Sequence, residues 1–219
     1  DQARLAEVAG EKAAWDAELE ALSSRTGEPI SPRRGLKLVT EALPEDAIVT
    51  TDIGNISSVA NSYIRPAGPR QFLAAMMFGN CGYSYPTALG AKLGRPDRPV
   101  VAFVGDGAWG MSLAEVMTAV REDIPVVAIV WDNGQWGAEK KNQIDYYGDR
   151  FVGTNLKNPD FAAVARAMGA DGYRVEREAD IVDAVRTAVA AERPTVIDLV
   201  VDSAELGEPF RRDALRKPV

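Results

Sequence analysis

Two oxygen-bearing side chains, Asp106 and Asn133, follow the ends of two apolar runs, and their types define what they could hold. Val100 to Val104 leads into Gly105-Asp106-Gly107, and Pro125 to Trp131 leads into Asp132-Asn133. A carboxylate, an amide oxygen and a backbone carbonyl are hard donors that suit Mg²⁺ or Ca²⁺ better than zinc. Mg²⁺ takes few protein ligands and lets phosphate oxygens complete its octahedron. Gly107 and Ala108 open a helical pattern, whose free N–H groups and positive end favour a phosphate. A glycine at 107 lets the backbone approach that ligand closely. The combination reads as one cation bridging a diphosphate to the protein. An ordinary strand-to-helix turn with a capping Asp accounts for the same residues with less chemistry.

The surrounding elements must bring the two residues together. Between the apolar runs lies a helical pattern with Met111, Ala114, Met117 and Ala119-Val120 on one face. Strand, helix and parallel strand form a crossover unit whose two strand C-termini lie side by side. That edge is where open α/β sheets bind ligands. Upstream, Leu5, Val8, Trp15, Leu19 and Leu22 recur at helical spacing over Ala3 to Leu22, and Thr26-Gly27-Glu28-Pro29 breaks the pattern. Ser31-Pro32 starts a helix running to about Ala42. Ala47 to Thr51 reads as a strand ending in Asp52-Ile53-Gly54-Asn55, where Asp52 either lies near a phosphate or caps the next helix. Phe72 to Met77 is a short apolar segment, and Pro86 to Leu93 reads as a helix rich in small residues. After Gln135 a long connection runs through Tyr147, Phe151 and Asn155, and such connections are usually functional or mobile. Asn158-Pro159-Asp160 starts a helix to Met168. Gly172 to Val175 follows as a strand, Ala179 to Ala191 as a helix and Thr195 to Val201 as a last strand. The alternation predicts a doubly wound α/β fold, a mainly parallel sheet with helices on both faces.

Composition narrows the classes. With 219 residues, 46% apolar and 26% charged, the chain has enough material for one sizeable core. A net charge of −7 argues against a nucleic-acid partner. No apolar run reaches membrane-spanning length and no signal peptide is visible, so no membrane partner is expected. The single cysteine, Cys81, excludes an internal disulfide and fits a cytoplasmic protein. There is no histidine, so any imidazole chemistry must come from elsewhere. The chain opens on Asp1 rather than methionine, which suggests a piece of a longer protein.

The Gly105-Asp106-Gly107 turn with its downstream Asn133 resembles the diphosphate motif of the thiamine diphosphate enzymes. Their usual pair is Asn-Asn, and here it is Asp132-Asn133; the family's ligand is the second position. The resemblance implies Mg²⁺ held by Asp106, Asn133 and the backbone carbonyl of Gln135. It implies thiamine diphosphate contacts from Gly54, Asn55 and Ile56, from Gly105 to Ala108, and from Gly79 and Cys81 on the aminopyrimidine. Cys81 would stand where the family wedges a larger apolar side chain between the cofactor rings. As a residue, Cys81 also reads as a buried inert thiol or a reactive one. By the same resemblance no catalytic side chain is expected here. The activating glutamate belongs to a pyrimidine-binding domain of the same or another subunit, in a homodimer or homotetramer. Residues 1–28 would be the linker helix from an upstream domain, 29–203 the diphosphate and Mg²⁺ domain, and 204–219 a basic tail. This chain alone is expected not to turn over.

Longer stretches narrow the resemblance. Gln135 to Lys140 (Q-W-G-A-E-K), Phe151 to Thr154, Met77 to Tyr83 and Gly207 to Asp213 together resemble the sulfoacetaldehyde acetyltransferases. That implies conversion of sulfoacetaldehyde and phosphate to acetyl phosphate and sulfite, with Lys140, Arg211 and Arg212 facing the small anionic substrate and phosphate. Two other readings remain open. One is the equivalent domain of an acetolactate synthase-type carboligase or oxalyl-CoA decarboxylase. The other is a non-catalytic metal–diphosphate module.

Overall fold

Unbroken runs such as Val100–Gly105 and Val127–Asp132 suit strands buried on both faces, and they form the centre of the sheet. The computed structural model describes residues 1–207. Six parallel strands make one sheet: β1 (Ile48–Thr51), β2 (Phe72–Ala74), β3 (Val100–Gly105), β4 (Val127–Asp132), β5 (Asp171–Val175) and β6 (Thr195–Val200). Their order is β2-β1-β3-β4-β6-β5. The chain leaves β1 outward to β2 and returns to β3 on the other side of β1. This reversal opens a crevice at the C-terminal ends of β1 and β3.

Alternation along the strands feeds two cores. Val101, Phe103, Ile129 and Leu199 pack beneath α2 (Pro32–Ala42), α3 (Asn55–Tyr63) and α9 (Ile181–Ala190). Val100, Ala102, Val104 and Val130 pack beneath α4 (Ser84–Gly94), α5 (Asp106–Ser112), α6 (Val116–Arg121) and α8 (Phe161–Ala167). The fold is therefore the expected doubly wound one, and every recorded strand pair is parallel.

Two local expectations change, and one helix leaves its apolar row open. The helix after Asp106 is broken by a 3₁₀ turn at Leu113–Glu115, and Met111 and Met117 point outward, each 63% exposed. The buried stripe is Trp109, Ser112, Val116 and Ala119, a helical spacing that an apolar count misses because it includes a serine. The connection after Gln135 contains a helix, α7 (Gly137–Tyr147). A Lys141–Asp145 pair at 2.6 Å supports α7, and Gly148 ends it in the left-handed conformation at φ 59°. Finally, α1 (Gln2–Leu22) buries only Leu19 of its apolar row; Leu5, Val8, Trp15 and Leu22 remain exposed. Among the described residues no helix is long and apolar enough to cross a membrane.

Candidate functional site

Asp106 is the first residue of α5, at the end of β3, and is 4% exposed. Its Oδ1 accepts the Gly107 N–H at 2.9 Å. Its Oδ2 accepts the Gln135 N–H at 3.2 Å, and Asn133 Oδ1 accepts that same N–H at 3.3 Å. A carboxylate oxygen and an amide oxygen therefore converge on one point from adjacent strand ends. Burial is the main force on Asp106, and it pushes the carboxyl up to about 6 against the pull of the Asn158 amide and the Gly107 N–H.

Asn158 was not legible as a site residue. Its Nδ2 donates to Asp106 Oδ2 and to Asp132 Oδ1, both at 2.7 Å, so one amide holds two carboxylates apart. Asp132, the departure from the Asn-Asn pair, also lies 4.0 Å from Arg174, and Arg174 in turn donates to the fully buried Asp198 at 2.5 Å. In the sequence Asn158 reads only as the start of a helix, and Arg174 as a polar residue inside a strand.

A cavity of about 340 Å³ extends from Asp106 along the crevice. Each of the expected contacts at the C-terminal ends of β1, β3 and β4 lines it: Gly54, Asn55 and Ile56; Gly105, Asp106, Gly107 and Ala108; Asn133 and Gln135. Gly79 and Cys81 line it as well. Lys140 does not. Its ammonium donates to Gln135 Oε1 at 2.5 Å and sits 5.5 Å from the centre of the Phe151 ring. Arg211 and Arg212 lie outside the described residues.

The residues around the cavity explain its glycines. A Cβ on Gly107 would stand 2.8 Å from the Trp136 indole, and one on Gly137 2.7 Å from Asn55 Nδ2. The glycine at 107 is thus required by Trp136 as well as by any ligand. Gly107→Ala is expected to lose about 1–3 kcal/mol of stability, because a rigid ring has to move. Thermal denaturation beside wild type measures that loss.

Asp52 has a role other than the two foreseen for it. Its carboxylate accepts from Tyr83 N at 2.9 Å and Ser84 N at 3.3 Å, fixing the Gly79–Ser84 loop against β1. Burial still outweighs those donors and raises Asp52 to about 6. The thiol of Cys81 is raised to about 11, by burial first and then by Asp52 and Glu139. A thiol so shifted stays protonated and is a poor nucleophile at neutral pH.

Asp198 is likewise raised to about 6 by burial. A carboxyl with a folded pKa above the unfolded value of 3.8 binds its proton more tightly when folded. Its contribution is fully present below pH 3.8, is lost as pH rises to about 6, and changes little beyond. Urea midpoints of the chain are expected to fall across that window. Asp52→Asn keeps an acceptor for Tyr83 but removes one titrating group, and should flatten the fall.

The donor set fits a hard cation, since two oxygens already converge and one carboxylate suffices when phosphate supplies the rest. Asn55 Oδ1, buried without a partner among the described residues, also fits a ligand-binding wall.

Residues 52–199 match the family described as "Thiamine pyrophosphate enzyme, C-terminal TPP binding domain". Sulfoacetaldehyde acetyltransferase of Castellaniella defragrans is 50% identical over 99% of this chain. A probable acetolactate synthase large subunit of Methanocaldococcus jannaschii is 33% identical over 81% of the chain. The crystal structure of benzoylformate decarboxylase from Polynucleobacter necessarius superposes with a TM-score of 0.77 at 25% identity, covering 83% of this chain and 34% of that one. The chain spans 39% of the Castellaniella protein and 31% of the Methanocaldococcus protein.

Proposed function

The chain belongs to the thiamine pyrophosphate enzymes, and from that membership we propose that it forms the diphosphate-binding part of a sulfoacetaldehyde acetyltransferase. The reaction would convert sulfoacetaldehyde and phosphate to acetyl phosphate and sulfite. The observation that carries the cofactor reading is the convergence of Asp106 Oδ2 and Asn133 Oδ1 on the Gln135 N–H, at the mouth of a glycine-lined cavity. The extent of identity to the Castellaniella enzyme favours this substrate over the acetolactate synthase reaction.

In this reading Asp106, Asn133 and the Gln135 carbonyl hold Mg²⁺. The Gly54–Ile56 loop and the Gly105–Ala108 turn receive the diphosphate, and Gly79 and Cys81 face the aminopyrimidine. The bound cofactor supplies the electron sink for bond cleavage. The chain's own residues bind, aim and shield. Asn158 keeps the Asp106 carboxylate directed at the cation, Asp52 anchors the pyrimidine loop, and Trp136 covers the turn at Gly107.

Next to Gly79, Met77 is 100% exposed and Phe78 91% exposed. An apolar rim of that kind supports a second domain seated over the cavity, from the same or another subunit. It would bring the activating glutamate and make the intact protein a dimer or tetramer. The outward apolar row of α1 supports the linker assignment for residues 1–28 in the same way. In the cytoplasm the raised Cys81 thiol would stay reduced and inert.

The test is sulfite release by the intact protein from sulfoacetaldehyde, with and without phosphate. Phosphate-dependent release supports the reading. Acetolactate formation from pyruvate, with no sulfite released, would replace it with the carboligase function. Cofactor binding without either activity would leave the non-catalytic module.

A further inference from the structure

We propose that Arg33 forms a separate subsite in the cavity for a small tetrahedral oxyanion, phosphate or an alkylsulfonate. Among the described residues it is the one lysine or arginine lining the cavity. The sequence marks it only as the second residue of a helix. It stands at the start of α2, whereas Asp106 stands at the end of β3, and Val59, Val201 and Leu206 line the same cavity.

Every arginine close to it in sequence is engaged. Arg34 donates to Glu178 at 2.7 Å, and Arg25 reaches Asp202 at 2.9 Å and Glu205 at 3.1 Å. Arg33, itself half-buried, has no hydrogen bond or ion pair among the described residues. A cation drawn partly out of water with no counter-charge is unfavourable unless an anion arrives. Glu205 also lines the cavity, but Arg25 and the Ser31 hydroxyl already hold its carboxylate.

Two further observations point to an anion. Trp131 lines the cavity and is 3% exposed, and its Nε1–H has no acceptor among the described residues. Arg33 also sits in the first turn of an 11-residue helix, whose positive end favours negative charge. The apolar neighbours limit water and strengthen a guanidinium–oxyanion contact. The binding itself does not depend on the proposed reaction; only the identity of the reactant rests on that reading.

The chain is titrated calorimetrically with inorganic phosphate and, separately, with ethanesulfonate at constant ionic strength. Each titration uses wild type, Arg33→Gln and Arg33→Lys, with and without Mg²⁺ and thiamine diphosphate. At least one anion should bind wild type, and Arg33→Gln should weaken it by about tenfold or more, the loss of a charged hydrogen bond. Arg33→Lys should recover part of the affinity, and the anion losing more identifies the reactant. Circular dichroism should show all three proteins equally folded, since Arg33 has no partner to lose among the described residues. No binding by wild type, or equal affinity in Arg33→Gln, overturns the proposal. An equal loss of thiamine diphosphate affinity also overturns it, by making Arg33 a contact of the cofactor. If Arg33-dependent anion binding persists while the intact protein, titrated in the same way, fails to bind thiamine diphosphate, the subsite stands and the proposed function falls.

Discussion

Asp106→Ala is expected to abolish Mg²⁺-dependent binding of thiamine diphosphate, by about 100-fold or more. Removing an outer partner of a metal ligand already costs about 10–100-fold in affinity, and Asp106 is the only carboxylate in the expected donor set. Its oxygens also receive Gly107, Gln135 and Asn158, so the alanine frees three donors as well as the cation. Calorimetry with and without Mg²⁺ separates the two effects. Loss of the Mg²⁺-dependent part alone marks a ligand. Equal loss in both conditions would mean that Asp106 only scaffolds the turn. Asp106→Asn distinguishes them further, because it keeps acceptors for the N–H groups but gives up the charge.

The second large effect is expected behind the site. Arg174→Met should destabilise the chain by about 3 kcal/mol, the lower end for breaking a buried pair, because Arg174 is partly exposed. Asp198 would then be buried with Asp132 beside it and no cation between them. Its Oδ2 also accepts the Phe161 N–H at 3.0 Å, so the start of α8 depends on it. Adding Asp198→Asn should return most of the loss, since the amide still accepts that bond without carrying charge. Urea denaturation of the single and double variants measures both. A single variant within about 0.5 kcal/mol of wild type would show that Arg174 is a solvated surface residue.

Much of this arrangement is legible from local pattern. The buried parallel strands announce themselves as apolar runs, and the handedness of the crossover brings Asp106 and Asn133 to one edge. Glycine punctuation locates the loops at Gly54 and Gly79. What escapes are contacts with no sequence period. Asn158 and Arg174 reach the site through side chains, from elements whose sequence announces only a helix start and a strand. Asp132 looked like a departure of no consequence, yet its charge requires both of them. Lys140 reads as a substrate cation because it follows the loop expected to hold the metal; α7 turns its ammonium back onto Gln135. Arg33 carries no signal in the sequence beyond following Ser31-Pro32, because nothing local shows which side chains lack a partner among the described residues.

Trp136 gives the molecule a built-in reporter. Its indole lies against Gly107, at the turn where a diphosphate would sit; Trp131, 3% exposed, lines the same cavity, and Trp109 is sealed in a core at 1% exposure. Indole emission responds to nearby charge and to water. Occupation of the crevice would therefore change the signals of Trp136 and Trp131 against that of Trp109, which stays constant. Only Trp15, on the outward face of α1, adds a solvent-dependent background. Replacing Trp15 with phenylalanine would leave an optical titration that reads the site directly, without a label and without turnover.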